Sequence, residues 1–289
     1  MDRITLEHGG GGTLMLQLLA ETVLKEFKLK TAGPVGLDDL DDSAALRIEG
    51  GETLVFTTDS HTVKPLFFPG GDIGRLAVAG TVNDLAVMGA RPVAMACAIV
   101  VQEGFRVDEF KRIVKSMAQT ASEVGVALVT GDFKVVERND LDGMIITTSA
   151  VGVAKELKTD RMLRPGDKIL VSGTIGDHGA TILAQREGFQ VEGELRSDAC
   201  PIWDIVDAAL RVGGVSAMKD PTRGGVAAAL NELASKSNVG IAIKEEALPV
   251  SQPVQSFCEM LGLDPLTLTN EGKVLMGVSS EKSQEILDT

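Results

Sequence analysis

Apolar positions recur along this chain with two different periods. Val107, Phe110, Ile113, Met117, Ala121 and Val124 fall on one face of a 3.6-residue repeat and predict an amphipathic helix. Leu14, Leu18, Leu19, Val23, Leu24 and Phe27 predict an earlier helix, with Thr13 placed to cap it. Residues 73–88 read as a helix of another kind. Ala77, Ala79, Gly80 and Ala86 make it narrow enough for close packing, and Asn83 and Asp84 interrupt its apolar character. Short apolar runs predict strands over 53–58, around Cys97 (93–101), over 126–129 and over 144–153. Pro65, Pro69 and Gly70-Gly71 mark a loop, and Gly131-Asp132 reads as a turn.

A polar stretch at 155–164, followed by Pro165-Gly166-Asp167, divides the chain into a domain over 1–155 and a second over 156–289. The second half predicts strands at 168–173, 239–243 and 273–278. Its helices are predicted from Gly176 to Gln185 and over 202–212, 226–235 and 253–261, with another opening at Ser280. Strands alternating with helices point to an α/β (α+β layered) fold of two domains. The chain reaches Thr289 inside a helical pattern with no Gly, Asn or Pro stop signal, so the C-terminal domain reads as truncated.

Composition narrows the partners. With 41 acidic and 28 basic residues among 289, the net charge of −13 disfavours a nucleic acid, whose binding rests on Lys and Arg. Nine Phe, one Trp and no Tyr also leave little with which to stack bases. Cys97, Cys200 and Cys258 form no CxxC pair, and Cys97 reads as a buried strand residue. No disulfide framework, signal peptide or membrane-length apolar run is present, so the expectation is a cytoplasmic protein without a membrane partner.

The P-loop, the G-x-S-x-G elbow, a strand-led G-x-G-x-x-G and H-E-x-x-H are all missing from the sequence. What remains is acidic. Asp42, Asp59, Asp84, Asp132 and Asp220 each lie beside small or turn-forming residues near the end of an element. Any one of them is a cap or turn residue by default. As a set they point to a divalent cation on a polyphosphate, because Mg²⁺ is held by one or two carboxylates plus substrate phosphates. Lys134 is either a solvated strand-end lysine or a positive charge for a phosphate or a reacting carbonyl. Arg223-Gly224-Gly225 is either a plain N-cap turn or an anion cradle. His8-Gly9-Gly10-Gly11-Gly12 is either a flexible arm or a loop approaching an anion, and His8 has no second histidine nearby. Glu271 sits in a turn, Asn270-Glu271-Gly272, and periodicity gives it no role.

Several stretches together resemble a known group. Asp41-Asp42-Ser43-Ala44, Thr57-Thr58-Asp59-Ser60, the segment from Ala79 to Pro92 and Asp220-Pro221-Thr222-Arg223-Gly224-Gly225 resemble the aminoimidazole ribonucleotide synthetase (PurM-like) superfamily. His8 to Gly12, Pro65 to Gly71, Thr130 to Val136, Val171 to Gly179 and Asn270 to Lys273 are most similar to its HypE-type hydrogenase maturation factors, the carbamoyl dehydratases. The resemblance implies a homodimer paired through the N-terminal domains and ATP bound between the domains. It implies Mg²⁺ on Asp42, Asp59, Asp84 and Asp220, and ATP contacts from Asn83, Gly131, Asp132, Thr222 and Arg223. It further implies dehydration of an S-carboxamide on a C-terminal cysteine to a thiocyanate, the cyanide source for [NiFe] hydrogenase. Glu271 would take the amide proton and Lys134 would steady developing charge. A carbamoyltransferase and a metallochaperone are the implied partners. The family's cysteine-bearing tail has no counterpart before Thr289, so this chain is expected to bind ATP without forming thiocyanate on itself. A selenophosphate synthetase is the nearest alternative, although the glycine-rich segment lacks that family's reactive cysteine. A non-catalytic maturation scaffold is the other.

Overall fold

A computed structural model describes residues 3–48, 51–189 and 193–289. The first helix, α1 (Gly12–Leu19), is capped by Gly11 at φ 83° and not by Thr13. It runs on through a wider π-helical turn, Ala20–Leu24, and buries none of its residues. The first domain then contains β1 (Ala44–Arg47), β2 (Thr53–His61), β3 (Phe67–Phe68), β4 (Gly71–Asp72), α2 (Ile73–Val87), β5 (Ala90–Gln102), α3 (Val107–Val124), β6 (Ala127–Val136) and β7 (Met144–Ala154).

Five of these strands form one sheet in the order β1-β2-β7-β5-β6. Only β5 and β6 are parallel, and α3 supplies the crossover that a parallel pair requires. Alternation along β7 buries Met144, Ile146, Thr148, Ala150 and Ala154 under α2. The small residues of α2 do what the sequence suggests: a Cβ on Gly74 would lie 2.5 Å from the Ile113 carbonyl of α3. Asp72 caps α2 by accepting the N–H groups of Gly74 and Arg75 at 2.8 and 2.9 Å. Pro92 falls at a register shift in β5, where a missing N–H does no harm.

The opposite face of this sheet carries no helix. Phe56 on β2 is more than 40% exposed there. On the edge strand β6, Leu128, Val129, Phe133 and Val135 are exposed to the same degree, although Leu128, Phe133 and Val135 pair with Met95, Ile99 and Val101 on the α2 side, and the Phe133 ring meets Phe110 of α3 edge-on at 5.5 Å. Gly131-Asp132 is not the expected turn. Both residues continue the β6 ladder opposite Cys97 and Ala98. Glycine is needed there because a side chain would strike the Cys97 carbonyl, a close approach that mimics a turn signal in the sequence.

The second domain contains β8 (Lys168–Val171), α4 (Asp177–Glu187), α5 (Trp203–Val212), β9 (Val215–Lys219), α6 (Gly225–Ser237), α7 (Gln252–Leu261), β10 (Leu275–Val278) and α8 (Ser283–Leu287). An antiparallel sheet, β8-β10-β9, forms its middle layer. Val206 of α5 and Ile286 of α8 pack on one face with Met218 and Met276, and Ala86 and Val87 of α2 join them, so this core links the domains. Val226, Leu230 and Leu233 of α6 cover the other face against Ala217 and Leu275. The strand predicted at 239–243 does not form. Val239 and Ile241 pack against the α6 core through their side chains, and no ladder is available to them. Among the described residues no helix is long and apolar enough to cross a membrane.

Candidate functional site

A cavity of about 760 Å³ opens between the two domains. The first domain lines it with Asp41-Asp42, Thr57 to His61 of β2, and Asp84 of α2. The second contributes Lys219-Asp220, Thr222-Arg223 at the mouth of α6, His178 of α4, and Glu271. Gly11 and Met15 of the N-terminal segment also line it.

Four of the five aspartates singled out in the sequence converge here, and their electrostatics follow from crowding. Burial first, then Asp220, Asp42 and Asp59, push the Asp84 carboxyl well above the usual carboxylate range, while the Thr57 hydroxyl donates to it at 2.9 Å. Burial and then Asp42 raise Asp220 to about 7. Asp59 is different. Burial opposes its ionisation, but His61, 3.2 Å away, and Arg223 hold it below its ordinary value. Asp41 is raised to about 7 by burial, Asp42 and Asp160. Both its oxygens are used structurally, accepting the N–H groups of Asp42 (2.9 Å) and Asp160 (3.3 Å). Asp42 is placed otherwise. Its Oδ1 meets Lys219 Nζ at 2.6 Å, and its buried Oδ2 has no partner.

Lys219 was invisible in the sequence except as the residue before Asp220. Its nearly buried ammonium sits among Asp42, Glu232 (3.2 Å) and Asp160 (3.9 Å). Although burial alone would lower it, these neighbours raise its pKa. Lys236 also pairs with Asp160. The acidic pocket thus carries its own counter-charge. His61 was missed as well, although it follows Asp59 by two residues. It is buried, lines the cavity, and neither ring nitrogen finds an aligned hydrogen-bond partner, so its contact with Asp59 is electrostatic.

Glu271 faces the same space. Burial, then Asp198, Asp220 and Asp59, raise its carboxyl well above the ordinary range. A Cβ on Gly80 would lie 2.7 Å from His61 Nε2 and 3.8 Å from Glu271 Oε2, so glycine at this point of α2 keeps the space between them open. Thr222 and Arg223 line the cavity immediately before α6, which starts at Gly225 behind Gly224 at φ 76°. That is the anion-cradle placement, with Gly11 of the N-terminal segment against the Arg223 backbone.

Four expected positions lie elsewhere. Asn83 does not line the cavity. Its Nδ2 donates to the carbonyls of Cys200 (3.0 Å) and Glu271 (3.2 Å), and its Oδ1 accepts from the Ile202 N–H (2.9 Å). Both N–H donors of its amide and its carbonyl oxygen are thus engaged by protein. Gly131, Asp132 and Lys134 lie on the exposed edge strand β6, outside this cavity. Sequence order could not show this, because the strand pairing that carries them away is made 34 residues upstream, at Cys97 and Ala98.

Could these groups hold a cation? Among the described residues no three His, Cys, Asp or Glu side chains already converge on one point. The orphan Oδ2 of Asp42, together with the Asp84 and Asp220 carboxyls that burial and then neighbouring carboxylates push upward, nevertheless fits a site that a divalent ion and phosphate oxygens complete.

Comparison with known proteins agrees with this geometry. The family described as "AIR synthase related protein, N-terminal domain" matches residues 40–154, and its C-terminal counterpart matches residues 164–289. The carbamoyl dehydratase HypE of Cupriavidus necator is 47% identical over 94% of this chain and 77% of that protein. A solved HypE–HypF complex aligns with TM-score 0.87 at 42% identity, covering 96% of this chain and 88% of that one. A HypE structure in complex with ATP aligns with TM-score 0.80 at 42% identity over 99% of this chain and 84% of that one. The chain belongs to the AIR synthase related family and, within it, to the HypE-type carbamoyl dehydratases of hydrogenase maturation.

Proposed function

We propose that the inter-domain cavity binds ATP and uses it to dehydrate an S-carboxamide to a thiocyanate. The observation that carries this reading is the convergence, within one cavity of about 760 Å³, of Asp42, Asp84 and Asp220 from two domains with Arg223 and Glu271. Repelling carboxylates are an arrangement that folding alone disfavours and a cation-bound triphosphate rewards. Asp42, Asp59, Asp84 and Asp220 would hold Mg²⁺, which supplies a phosphate clamp and Lewis acidity when bound. Thr222 and Arg223, which line the cavity before α6, and the α6 N-terminus would take the triphosphate.

The chemistry balances as follows. The carboxamide oxygen forms a bond to the γ-phosphorus of ATP, and the bond to the ADP oxygen breaks. The carbon–oxygen bond then breaks with its electron pair leaving on phosphate, while nitrogen loses two protons and becomes the nitrile. Glu271 is the group placed to accept a proton, because its raised pKa makes its ionised form a stronger base than an exposed glutamate. The second proton leaves to solvent, and the products are thiocyanate, ADP, inorganic phosphate and the released protons.

Homodimer formation is part of the proposal. The helix-free face of the first sheet and the exposed apolar edge strand β6 suit a second copy. Lys134 lies on that strand, so it reaches a reacting carboxamide only through the pairing. A carbamoyltransferase supplying the carboxamide, a metallochaperone receiving the cyanide, and a cytoplasmic site of action complete the reading.

Calorimetry with ATP, with and without Mg²⁺, tests the binding. ATP turnover driven by a peptide carrying S-carbamoylcysteine tests the chemistry. Mg²⁺-dependent binding and peptide-dependent ADP release are expected. Absence of nucleotide binding would favour a scaffold.

A further inference from the structure

The loop that carries Glu271 has no secondary structure of its own. Backbone groups in such a loop must find partners elsewhere, and here they find side chains. Asp198 accepts the N–H of Glu271 on one oxygen at 3.1 Å and the N–H of Gly272 on the other at 3.3 Å. On the opposite side, Asn83 donates to the Glu271 carbonyl at 3.2 Å. The residue is therefore held by its own N–H and its own C=O.

Neither holder is free to drift. The Asp198 side chain is buried and meets Lys273 Nζ at 3.0 Å. Its segment, residues 197–202, is stitched to the first domain at three points. The Ser197 N–H donates to the Pro69 carbonyl at 2.9 Å, Arg75 Nε donates to the Ala199 carbonyl at 2.6 Å, and Asn83 engages both Cys200 and Ile202. Asn83 sits in the middle of α2, almost wholly buried, next to Asp84 of the acidic cluster. One helix of the first domain thus sets the position of both an aspartate facing the cavity and the loop of the second domain that faces it. Charge-assisted acceptance of two N–H groups by one carboxylate is among the stronger local restraints available.

We infer that Asp198 and Asn83 are positioning residues for the dehydration step, fixing the Glu271 backbone from opposite sides so that its carboxyl is held at one point above the cavity. The inference rests on the reading of Glu271 as the proton acceptor. Neither residue touches the space that ATP would fill, so their loss affects the reacting geometry and leaves nucleotide binding intact. A misplacement of about 1 Å costs roughly a hundredfold in rate.

The test uses the full chain with ATP, Mg²⁺ and an S-carbamoylcysteine peptide. D198N cuts the restraint from the N–H side, and N83A cuts it from the carbonyl side. Each is expected to lower kcat by about ten- to hundredfold, with the ATP Kd and the peptide KM within about twofold of the parent. The double variant D198N/E271Q is expected to be no slower than E271Q alone, because a positioning residue has nothing to act on once its target is gone. An unimpaired D198N beside a slow E271Q overturns the inference alone. ATP affinity lost in parallel with kcat, or a double variant slower by the product of the two single effects, overturns it too, because the bracket would then be general scaffolding. E271Q turning over at the parental rate overturns the assignment of Glu271, and this inference with it. If D198N does not fold, N83A carries the same comparison, including its double variant with E271Q.

Discussion

Replacing Asp84 with asparagine separates a functional carboxylate from a structural one. Asp84 faces repulsion from Asp220, Asp42 and Asp59, and it has one favourable side-chain contact, the Thr57 hydroxyl at 2.9 Å. Asparagine keeps an oxygen for Thr57 and removes the charge. Repulsions between such partly buried carboxylates are worth on the order of 1 kcal/mol each, and Lys219 already offsets some of that, so the net relief is about 1–3 kcal/mol. At about 2–4 °C per kcal/mol for a chain of this size, the unliganded protein at pH 8 should melt several degrees higher in D84N than in the parent. At pH 5 the gain should shrink, because Asp220, raised to about 7, is then protonated in the parent and no longer repels Asp84. The same variant should lose about ten- to hundredfold in Mg²⁺-dependent ATP affinity. Scanning calorimetry and titration calorimetry on one preparation measure both. A D84N protein that melts lower at pH 8 and binds ATP as the parent does would refute the reasoning and leave Asp84 as a helix residue held by Thr57.

Three further predictions follow from the same contacts. Asp41 and Asp220 titrate near 7 in the folded chain against 3.8 unfolded, so the native state holds extra protons between about pH 4 and 7; unliganded stability should fall as pH rises through that window, by differential scanning calorimetry, while Mg²⁺-dependent ATP affinity should rise. K219M leaves Asp42, Asp160 and Glu232 without their shared cation and should cost about 3–5 kcal/mol in chemical denaturation; a neutral result would contradict the counter-charge role. F133E places a charge on the exposed β6 strand and should yield a monomer in analytical ultracentrifugation; an intact dimer would remove this strand from the interface.

Where the hydrophobic period was long and unbroken, the sequence led to the right element. Val107 to Val124 is the amphipathic helix it predicts, and the alternation of 144–153 is the central strand β7. The acidic points Asp42, Asp59, Asp84 and Asp220 could be picked out because aspartate beside small residues at element ends is a recognisable local pattern. What failed depended on distant partners. Gly131-Asp132 resembles a turn until the Cys97 carbonyl beside it explains the glycine. Residues 239–243 are strand-like in composition, but no strand edge reaches them. Asn83 neighbours a cavity aspartate in sequence, yet on a helix successive residues point in different directions, and its amide turns to Cys200 and Glu271. Lys219, His61 and Asp198 acquire their roles only from contacts across the chain, and adjacency to Asp220 or Asp59 was the single local sign for the first two.

The central claim is that carboxylates from both domains gather a cation and a triphosphate in one cavity. A crystal structure with a non-hydrolysable ATP analogue and Mn²⁺ tests it most directly. The account predicts anomalous signal against Asp42, Asp84 or Asp220, with the triphosphate beside Arg223 and the α6 N-terminus. Nucleotide bound elsewhere, or metal signal with no contact to these aspartates, would contradict it.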